Sequence, residues 1–502
     1  AGGLEIQANQ IEISGVSSAG LPSGIFANVQ EGADGNGGLI SLQTENLRLF
    51  DGGQIDTSTS GLGNAGGLEI QANQIEISGV SSAGLPSGIF ANVQEGADGN
   101  GGLIKIATES LHLLAGGQID TSTFSSGNGG TLEIEASEIE ANGFTNNFPS
   151  GLFSTTNFGR GGSLNVDTNT LSLSGGAQIS STTFANGDAG SLNIQAQEVE
   201  LSGFVNEVGS TGLFSAAIVG TGNGGQLNLT TNKLNIRDGA TILVSNFSSR
   251  NPNITPGTGD VGNINIQATE VFLNNDGSLR AEVNAGDRGN IFLDTDLLFM
   301  RRGSNITVNA LGTANGGNIT INAPIIVGLD NSDIVANAIT GDGGNINITT
   351  QGIFGLEFRD RLTPESDITA SSEFGVNGTV DINNLDIDPS SGLVELPKLV
   401  DSSQEIVASC SHTFGNSFAV TGRGGMRQNP TQQVNAKRMW SDVRDLSAYR
   451  KQKNNVVRVE NQESNQSAIV EASGWIRNSE GDIEFVAFNH PNFSPQTATC
   501  SN

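Results

Sequence analysis

One stretch of forty residues occurs twice in this chain without a single difference: Ala1–Ile40 is repeated at Ala65–Ile104. It contains a shorter motif, apolar-x-apolar-x-Ala/Thr-x-x-apolar-x-apolar, which recurs far beyond the duplication at intervals of 27 to 37 residues. The 13 copies of the motif begin at Leu4, Ile40, Leu68, Ile104, Leu132, Leu164, Leu192, Leu227, Ile264, Ile291, Ile319, Ile346 and Val380. Self-similarity on this scale is typical of a repeat architecture and overrides domain counts based on length.

The motif alternates apolar and polar residues, which is the pattern of β-strands with one buried face. A small residue at its fifth position, followed by two mostly polar residues, shifts the phase and predicts a tight corner between two strands. A third short strand is predicted in segments such as GGQIDTST from Gly52 and GGAQISST from Gly175, and spacers such as GNGG and GDGG close the unit. The sequence therefore predicts an all-β fold, a right-handed parallel β-helix of about 13 coils over residues 1–390.

Ala and Thr alternate at the fifth position through twelve consecutive motifs, and the thirteenth motif has Asn384. The alternating residues are Ala8, Thr44, Ala72, Thr108, Ala136, Thr168, Ala196, Thr231, Ala268, Thr295, Ala323 and Thr350. The structural unit is therefore predicted to be a pair of coils. The duplication has an offset of 64 residues, the length of one such pair. Inserting a whole pair keeps every inward column in phase, because each coil contacts only its neighbours.

The charge of the chain restricts its function. It holds 52 acidic and 23 basic residues, a net charge of −29; residues 1–390 carry 41 acidic and 12 basic residues, and residues 391–502 carry 11 of each. Without a basic stripe to neutralise phosphates, the chain is not expected to bind nucleic acid. It has no run of about 18 apolar residues, so we expect it not to span a membrane with a helix.

The repeat ends near residue 390, and residues 391–502 are predicted to form a small separate C-terminal domain. A hairpin is predicted there, with strands around Ile469–Ile476 and Asp482–Phe488. A short amphipathic helix is predicted between residues 433 and 454, where apolar residues recur every three positions.

The two cysteines of the chain, Cys410 and Cys500, bracket most of the C-terminal domain. In an exported chain they are expected to form a disulfide that closes a loop of about 90 residues, and two unpaired thiols are the alternative. A metal site is less favoured, because there is no Cys-x-x-Cys and His412 is the only nearby histidine.

Many parallel β-helices are carbohydrate-cleaving enzymes that align carboxylates, or Asp with Lys or Arg, on one exposed strand face. Those that hydrolyse pectin also carry a Gly-His-Gly, which this sequence lacks, and His112 is the only histidine of the predicted rod. The densest ionic cluster is FRDRLTPESD, which contains Arg359, Asp360, Arg361, Glu365 and Asp367. Because these charges can pair with one another, a solvated loop is the favoured interpretation, and a catalytic cluster is the alternative.

Glycine-rich runs with Asp, such as EGADGNGG, are similar to the nonapeptide repeats that bind calcium between turns. Those repeats recur every nine residues, whereas the period here is 27 to 37 residues. The sequence therefore predicts no catalytic residue, no cofactor site and no specific metal site.

The coils with Gly-Gly-x-Leu-x-Ile occur together with CSHTFGNSFAVTGRGG, WSDVRDL, IVEASGWIRNSEGDIEFVAF and Cys500, the third residue from the end. In this combination the chain resembles the C-terminal portion of cyanobacterial filamentous-haemagglutinin-like exoproteins, the secreted partners of two-partner secretion. The resemblance covers nearly the whole chain. One departure is Met426 and Arg427, which stand where a Leu-Pro pair would be expected.

The resemblance implies an exported adhesin-type protein, carried through the outer membrane by a dedicated β-barrel transporter and folded outside the cell into a β-helical fibre. It also implies that a loop closed by Cys410 and Cys500 could help to tether the chain to its transporter. No signal peptide or capping segment precedes Ala1. We therefore expect the sequence to be the C-terminal part of a longer polypeptide.

The leading functional hypothesis is a non-enzymatic cell-surface or secreted adhesin that binds surface glycans or cell-surface receptors through many weak, similar contacts. The expected contact loops lie between the second and third strands, as in SGVSSAGLPSGIF. Two alternatives stay open: a β-helical polysaccharide lyase or hydrolase, and a passive structural spacer.

Overall fold

The computed structural model describes residues 2–184, 186–205, 209–246, 255–286 and 289–384, together with the backbone of two strands near the C-terminus. The described residues form strands, turns and bends, with no helix. Within them, no helical segment is long and apolar enough to cross a membrane.

The first and second strands of the repeat form one sheet of 17 strands, which we call the long sheet. Its strands pair in parallel from coil to coil. They are Leu4–Gln7, Gln10–Ser14, Leu39–Phe50, Gly67–Ser78, Leu103–Leu114, Thr131–Asn142, Ser163–Ser174, Leu192–Gln195, Glu198–Ser202, Leu227–Arg237, Asn263–Asn274, Asn290–Arg301, Asn318–Asn322, Ile325–Leu329, Asn345–Thr350, Gly352–Phe354 and Thr379–Asn384. In most coils one strand runs through the predicted corner, whereas in four coils it is interrupted there.

The third strands, together with the additional strand Glu357–Phe358, form a second sheet of 13 strands, the short sheet. They are Gly24–Phe26, Gln54–Asp56, Gly88–Phe90, Gln118–Asp120, Gly151–Phe153, Gln178–Ser180, Gly212–Phe214, Thr241–Ser245, Ser278–Glu282, Asn305–Thr307, Asp333–Val335, Glu357–Phe358 and Asp367–Thr369. The third strands predicted from Gly52 and Gly175 are confirmed at Gln54–Asp56 and Gln178–Ser180.

The 13 predicted motif starts occupy one column of the long sheet. Leu4 pairs with Ile40, Ile40 with Leu68, and the series continues without a slip to Val380. The predicted parallel β-helix is therefore confirmed, and we number its coils 1 to 13 from these starts. Coil pairing in register places equivalent residues about 4.8 Å apart along the rod.

The core is a set of apolar columns inside the coils. In coil 3, Leu68, Ile70, Ile75 and Ile77 are each at most 1% exposed, and Ile89 of the short sheet is fully buried. Each such side chain contributes about 1.5 to 3 kcal/mol relative to an exposed one. Because the faces above and below each inward side chain belong to neighbouring coils, a single coil could not bury them.

The Ala/Thr alternation is explained by hydrogen bonds at the corner. The hydroxyl of Thr231 donates to the carbonyl of Lys233 in its own coil, at 3.2 Å, and to that of Gln197 in the preceding coil, at 3.1 Å. Gln197 directly follows Ala196, the fifth residue of that preceding coil. The same pair of bonds occurs at Thr108, Thr295 and Thr350. The single hydroxyl proton of such a threonine is shared between a carbonyl of its own coil and one of the preceding Ala coil, which links the two coils as a pair. At Thr44 and Thr168 the structure shows the bond within the coil.

The glycine-rich spacers allow the coils to approach closely. A Cβ atom added at Gly66 would lie 2.1 Å from the carbonyl oxygen of Gly38 in the previous coil. Equivalent clashes of 1.7 to 2.2 Å with a glycine carbonyl oxygen recur along a glycine column. The further members of the column are Gly102, Gly130, Gly162, Gly190, Gly225, Gly262, Gly317, Gly344 and Gly378. Beside it, the asparagine of the GNGG spacer forms a ladder, with Asn64 Oδ1 accepting from the backbone N–H of Asn100 at 2.8 Å.

The chain divides into two units, Ala1–Gly392 and Leu393–Asn502. In the second unit, Gly474–Arg477 pairs antiparallel with Ile483–Val486, which confirms the predicted hairpin with shorter strands. Cys410 and Cys500, and the helix predicted between residues 433 and 454, lie outside the described residues.

Two adjacent glycines provide a matched test of the close approach between coils. Gly66→Ala is expected to lower the free energy of unfolding by about 1 to 3 kcal/mol, since its Cβ meets the backbone of coil 1. In Gly67→Ala the added Cβ would lie 3.1 Å from the flexible Leu39 side chain and 3.9 Å from the Leu103 carbonyl oxygen. Leucines already occupy this column in the neighbouring coils. The change caused by Gly67→Ala should therefore stay within about 0.5 kcal/mol. Denaturant unfolding of both variants measures the difference, and equal destabilisation would contradict the explanation.

Candidate functional site

The loops between the long and short sheets alternate in form. Coils 1, 3, 5 and 7 carry projecting hairpins at residues 15–23, 79–87, 143–150 and 203–211, of which 206–208 lie outside the described residues. Their two sides pair antiparallel, as in the bridge between Val16 and Pro22. We call these four segments the hairpin row. They contain the loops predicted as contact sites.

Coils 2, 4, 6 and 8 turn tightly instead, and the hairpins close over these turns. Gly52 of coil 2 has φ of 90°, and a Cβ there would lie 2.6 Å from Ser81 of the next hairpin. Its backbone N–H donates to Ser87 Oγ at 2.9 Å. The equivalent bonds, also 2.9 Å long, join Gly116 to Ser150 and Gly176 to Thr211. The row is therefore a packed ridge with one projection every two coils, about 9.6 Å apart.

The first two hairpin tips are identical in sequence and share their turn geometry. In each, a serine hydroxyl oxygen accepts from the backbone N–H four residues later: Ser17 from Leu21 and Ser81 from Leu85, both at 3.1 Å. The side chain of Leu21 is 66% exposed. The equivalent Leu85 is half-buried, whereas Ser18, Ala19, Ser82 and Ala83 are exposed, so the surface that repeats is one of small side chains, which is suited to weak contacts.

The hairpin row stops after coil 7, and a groove follows it. Coils 8 to 11 have tight turns, so the outer face of their short strands lies open between the hairpin at 203–211 and the loop of coil 12, residues 355–366. This groove has a volume of about 680 Å³. Its floor includes Ser278, Asn305 and Asp333, which pair in register across three coils.

Two ion pairs, Arg280–Glu282 and Arg237–Asp238, and two further carboxylates set the charge of the groove. Arg280 Nη2 lies 2.5 Å from Glu282 Oε2, and Thr307 Oγ1 donates to Glu282 Oε1 at 3.3 Å. At the rim, Asn275 donates to Asp238, and this bond is the main cause of the lowered pKa of Asp238. Burial raises the pKa of Asp333, although its Oδ1 accepts from the backbone N–H of Asp367.

The ionic cluster FRDRLTPESD is divided by the fold. Arg359 forms ion pairs with Glu357, at 2.7 Å, and with Asp367. Asp367 is fully buried in the strand Asp367–Thr369, so the expectation of a solvated loop is wrong at this residue. Asp360 and Arg361 line a different cavity, of about 700 Å³, beside Ser371 and Ser372. The structure therefore does not bring the charges of this cluster into one site.

Two carboxylates of the short sheet, the buried Asp120 and the half-buried Asp56, were missed in the sequence. Asp120 is 8% exposed and stands in register between Phe90 and Phe153 on the short sheet. Burial raises its pKa to about 6, although Ser122 N–H and Asn92 Nδ2 donate to it at 2.8 and 3.3 Å. Its equivalent in the preceding coil pair is Asp56, whose pKa burial also raises. The segment QIDTS, which occurs at Gln54 and again at Gln118, was the sequence signal that could have revealed these two carboxylates.

Asp120 makes the stability of the rod depend on pH. Its folded pKa of about 6 lies above the ordinary 3.8, so ionised Asp120 destabilises the fold above pH 6. This effect, on the order of 3 kcal/mol, fades as the pH falls from 6 towards 3.8. Asp120→Asn should therefore raise Tm at pH 7.5 by several degrees more than at pH 4. The exposed Asp34→Asn is the control, and a gain that did not depend on pH would contradict this account.

Comparisons with family models, with curated proteins and with solved structures give no match to this chain. Among the described residues there is no group of three or more His, Cys, Asp or Glu side chains arranged to hold a metal ion. The functional proposal therefore depends on the two surfaces built by the loops, the hairpin row and the groove.

Proposed function

We propose that this chain is a non-enzymatic adhesive fibre, exported and displayed on the cell surface or secreted, whose coils form a rigid shaft with repeated contact sites. The observation that carries the proposal is the hairpin row. Its projections recur at every second coil on one continuous core, and the first two have identical tips. A repeated projection on a rigid spacing is the arrangement from which multivalent binding gains its strength.

Avidity would come from simultaneous contacts. The first two tips expose small side chains at Ser18, Ala19, Ser82 and Ala83, and the first also exposes Leu21, so one contact would be weak. Because the tips are fixed by packing on the turns of the even coils, binding of one brings the others to the same surface without further ordering. Linked sites of this kind can bind 10²-fold to 10⁴-fold more tightly than one alone, by the general estimate.

Export fits the way in which the coils are stabilised. Each coil contacts its neighbours, so folding can proceed coil by coil as the chain emerges from a transporter. We propose an outer-membrane β-barrel transporter as the partner in export, with a loop closed by Cys410 and Cys500 as a tether. Surface glycans or cell-surface receptors are the proposed partners in adhesion.

A polysaccharide lyase or hydrolase is the second candidate, because the groove holds Arg280, Glu282 and Asp333. Glu282 stands four residues along the strand and two coils away from Asp333, a backbone separation of about 16 Å. Hydrolases that use two carboxylates hold them about 5 to 9.5 Å apart. Glu282 is also engaged by Arg280 and Thr307. These observations favour binding over cleavage.

Shortening the rod by one exact unit tests the adhesive function. Deleting residues 41–104 removes 64 residues and places coil 4 on coil 1, whose sequence is identical to that of coil 3. No new contact between coils arises, so the variant should fold with unchanged Tm. It loses one of the two identical tips, and its dissociation from target cells or glycan-coated surfaces should be roughly tenfold faster.

The control removes one coil instead of a pair. Deletion of residues 40–67 removes 28 residues and stacks coil 3 directly on coil 1. It places hairpin against hairpin and Ala72 against Ala8, so the rod should be destabilised. No retention of the full chain on any surface would overturn adhesion and leave a passive spacer. Release of products from polysaccharides, abolished by Glu282→Gln or Asp333→Asn, would instead establish an enzyme.

A further inference from the structure

We propose that the groove of coils 8 to 11 binds an uncharged oligosaccharide that lies along the rod axis. This inference rests on the proposed function, since it names a ligand class for a glycan-binding fibre. It concerns a surface other than the hairpin row and would give the fibre one specific site beside its repeated ones.

The dimensions suit a short saccharide chain. Four coils span about 19 Å along the axis at 4.8 Å per coil. The volume of about 680 Å³ falls within the range of roughly 300 to 1,000 Å³ that is usual for ligand sites. Phe204 and Ser210 of coil 7 border one end and Leu362 of coil 12 borders the other, so a bound chain is limited in length by the fold.

The floor offers hydrogen-bonding atoms that have no protein partner. Among the described residues, none bonds to Asn305 Oδ1, to Asn309 Nδ2 or to the second carboxylate oxygen of Asp333. In contrast, Asn309 Oδ1 and Asp333 Oδ1 accept backbone N–H groups at 3.0 and 2.8 Å, which fixes both side chains. Donors and acceptors held in place on one face match the hydroxyl groups of a sugar, which both donate and accept.

Apolar side chains stand at both ends of the groove. Phe204, in the hairpin of coil 7, is 56% exposed, and Leu362, in the loop of coil 12, is 50% exposed. Both line the groove. The C–H face of a sugar ring packs well against an aromatic or aliphatic side chain, since both surfaces are apolar. The ends would therefore hold rings while the floor binds hydroxyl groups.

The charge of the groove selects against acidic sugars. Four carboxylates, from Asp238, Asp276, Glu282 and Asp333, line it together with one guanidinium, from Arg280. That guanidinium is already paired with Glu282 at 2.5 Å, and Asp238 is paired with Arg237 at 2.5 Å, so Asp276 and Asp333 carry the excess negative charge. A uronate or sulfated chain would bring like charges together in a partly enclosed site, which is unfavourable. A neutral chain avoids this repulsion.

The experiment is a calorimetric titration of the full chain with neutral gluco-, manno- and xylo-oligosaccharides. Hexagalacturonate is the acidic probe and a short cationic peptide is the basic probe. We expect a neutral oligosaccharide to bind and hexagalacturonate not to bind. Asn305→Ala should weaken the binding about tenfold, because it removes hydrogen bonds at the centre of the floor.

Two further variants keep the result interpretable. Phe204→Ala should also weaken binding about tenfold through loss of ring packing. The matched control, Asn232→Ala, changes an exposed asparagine at a corner of the long sheet and should leave binding unchanged. A failure of all neutral probes, binding of the cationic peptide alone, or equal affinity in the three variants would overturn the inference.

The failure of this inference can be separated from the failure of adhesion. The variant lacking residues 41–104 keeps coils 8 to 11, so its affinity for the neutral saccharide should equal that of the full chain while its retention on cells falls. Retention on cells without saccharide binding would leave the adhesive function standing and remove the groove from it. Saccharide binding without retention on any surface would support the groove as a binding site and contradict the adhesive function.

Discussion

Every part of this structure depends on the register of parallel coils. Backbone N–H groups of one coil donate to carbonyl groups of the next, so a residue at a given position lies about 4.8 Å from its equivalents above and below. Each side chain must therefore fit between the equivalent residues of the preceding and the following coil. At Gly66 this requirement excludes even a methyl group, because the carbonyl oxygen of Gly38 occupies the space. At Leu68 it requires an apolar side chain, because the neighbours in register are Ile40 and Ile104.

The same requirement explains why so much of the fold could be predicted from the sequence. A column imposes one residue type at fixed positions of every coil, so the motif starts, the corner and the third strands leave a periodic signal. The alternation of Ala and Thr also predicted a unit of two coils, but the sequence did not reveal the hydrogen bonds that cause the alternation. The bonds of Thr231 to the carbonyls of Gln197 and Lys233 depend on the position of the preceding corner, which sequence spacing does not reveal.

The functional surfaces were less predictable, because they depend on where the columns are broken. The loop SGVSSAGLPSGIF was visible, but its packing over Gly52 was not, since that contact joins a hairpin to a turn of another coil. The burial of Asp120 likewise depends on residues of adjacent coils. In the cluster FRDRLTPESD, neighbouring charges in sequence proved to lie on different sides of a loop. Asp367 turned inward to Arg359, whereas Arg361 faces a separate cavity.

The hairpin row and the groove lie in different coils of the same β-helix. The verbatim duplication lies in coils 1 to 4, whereas the groove lies in coils 8 to 11. Because coils interact with their neighbours, adding or removing a pair among the first coils leaves the geometry of the groove unchanged. The length of the β-helix and the number of identical tips can then vary without any change to the groove. A compact domain, whose core joins all of its segments, could not have gained 64 residues in this way without rebuilding its packing.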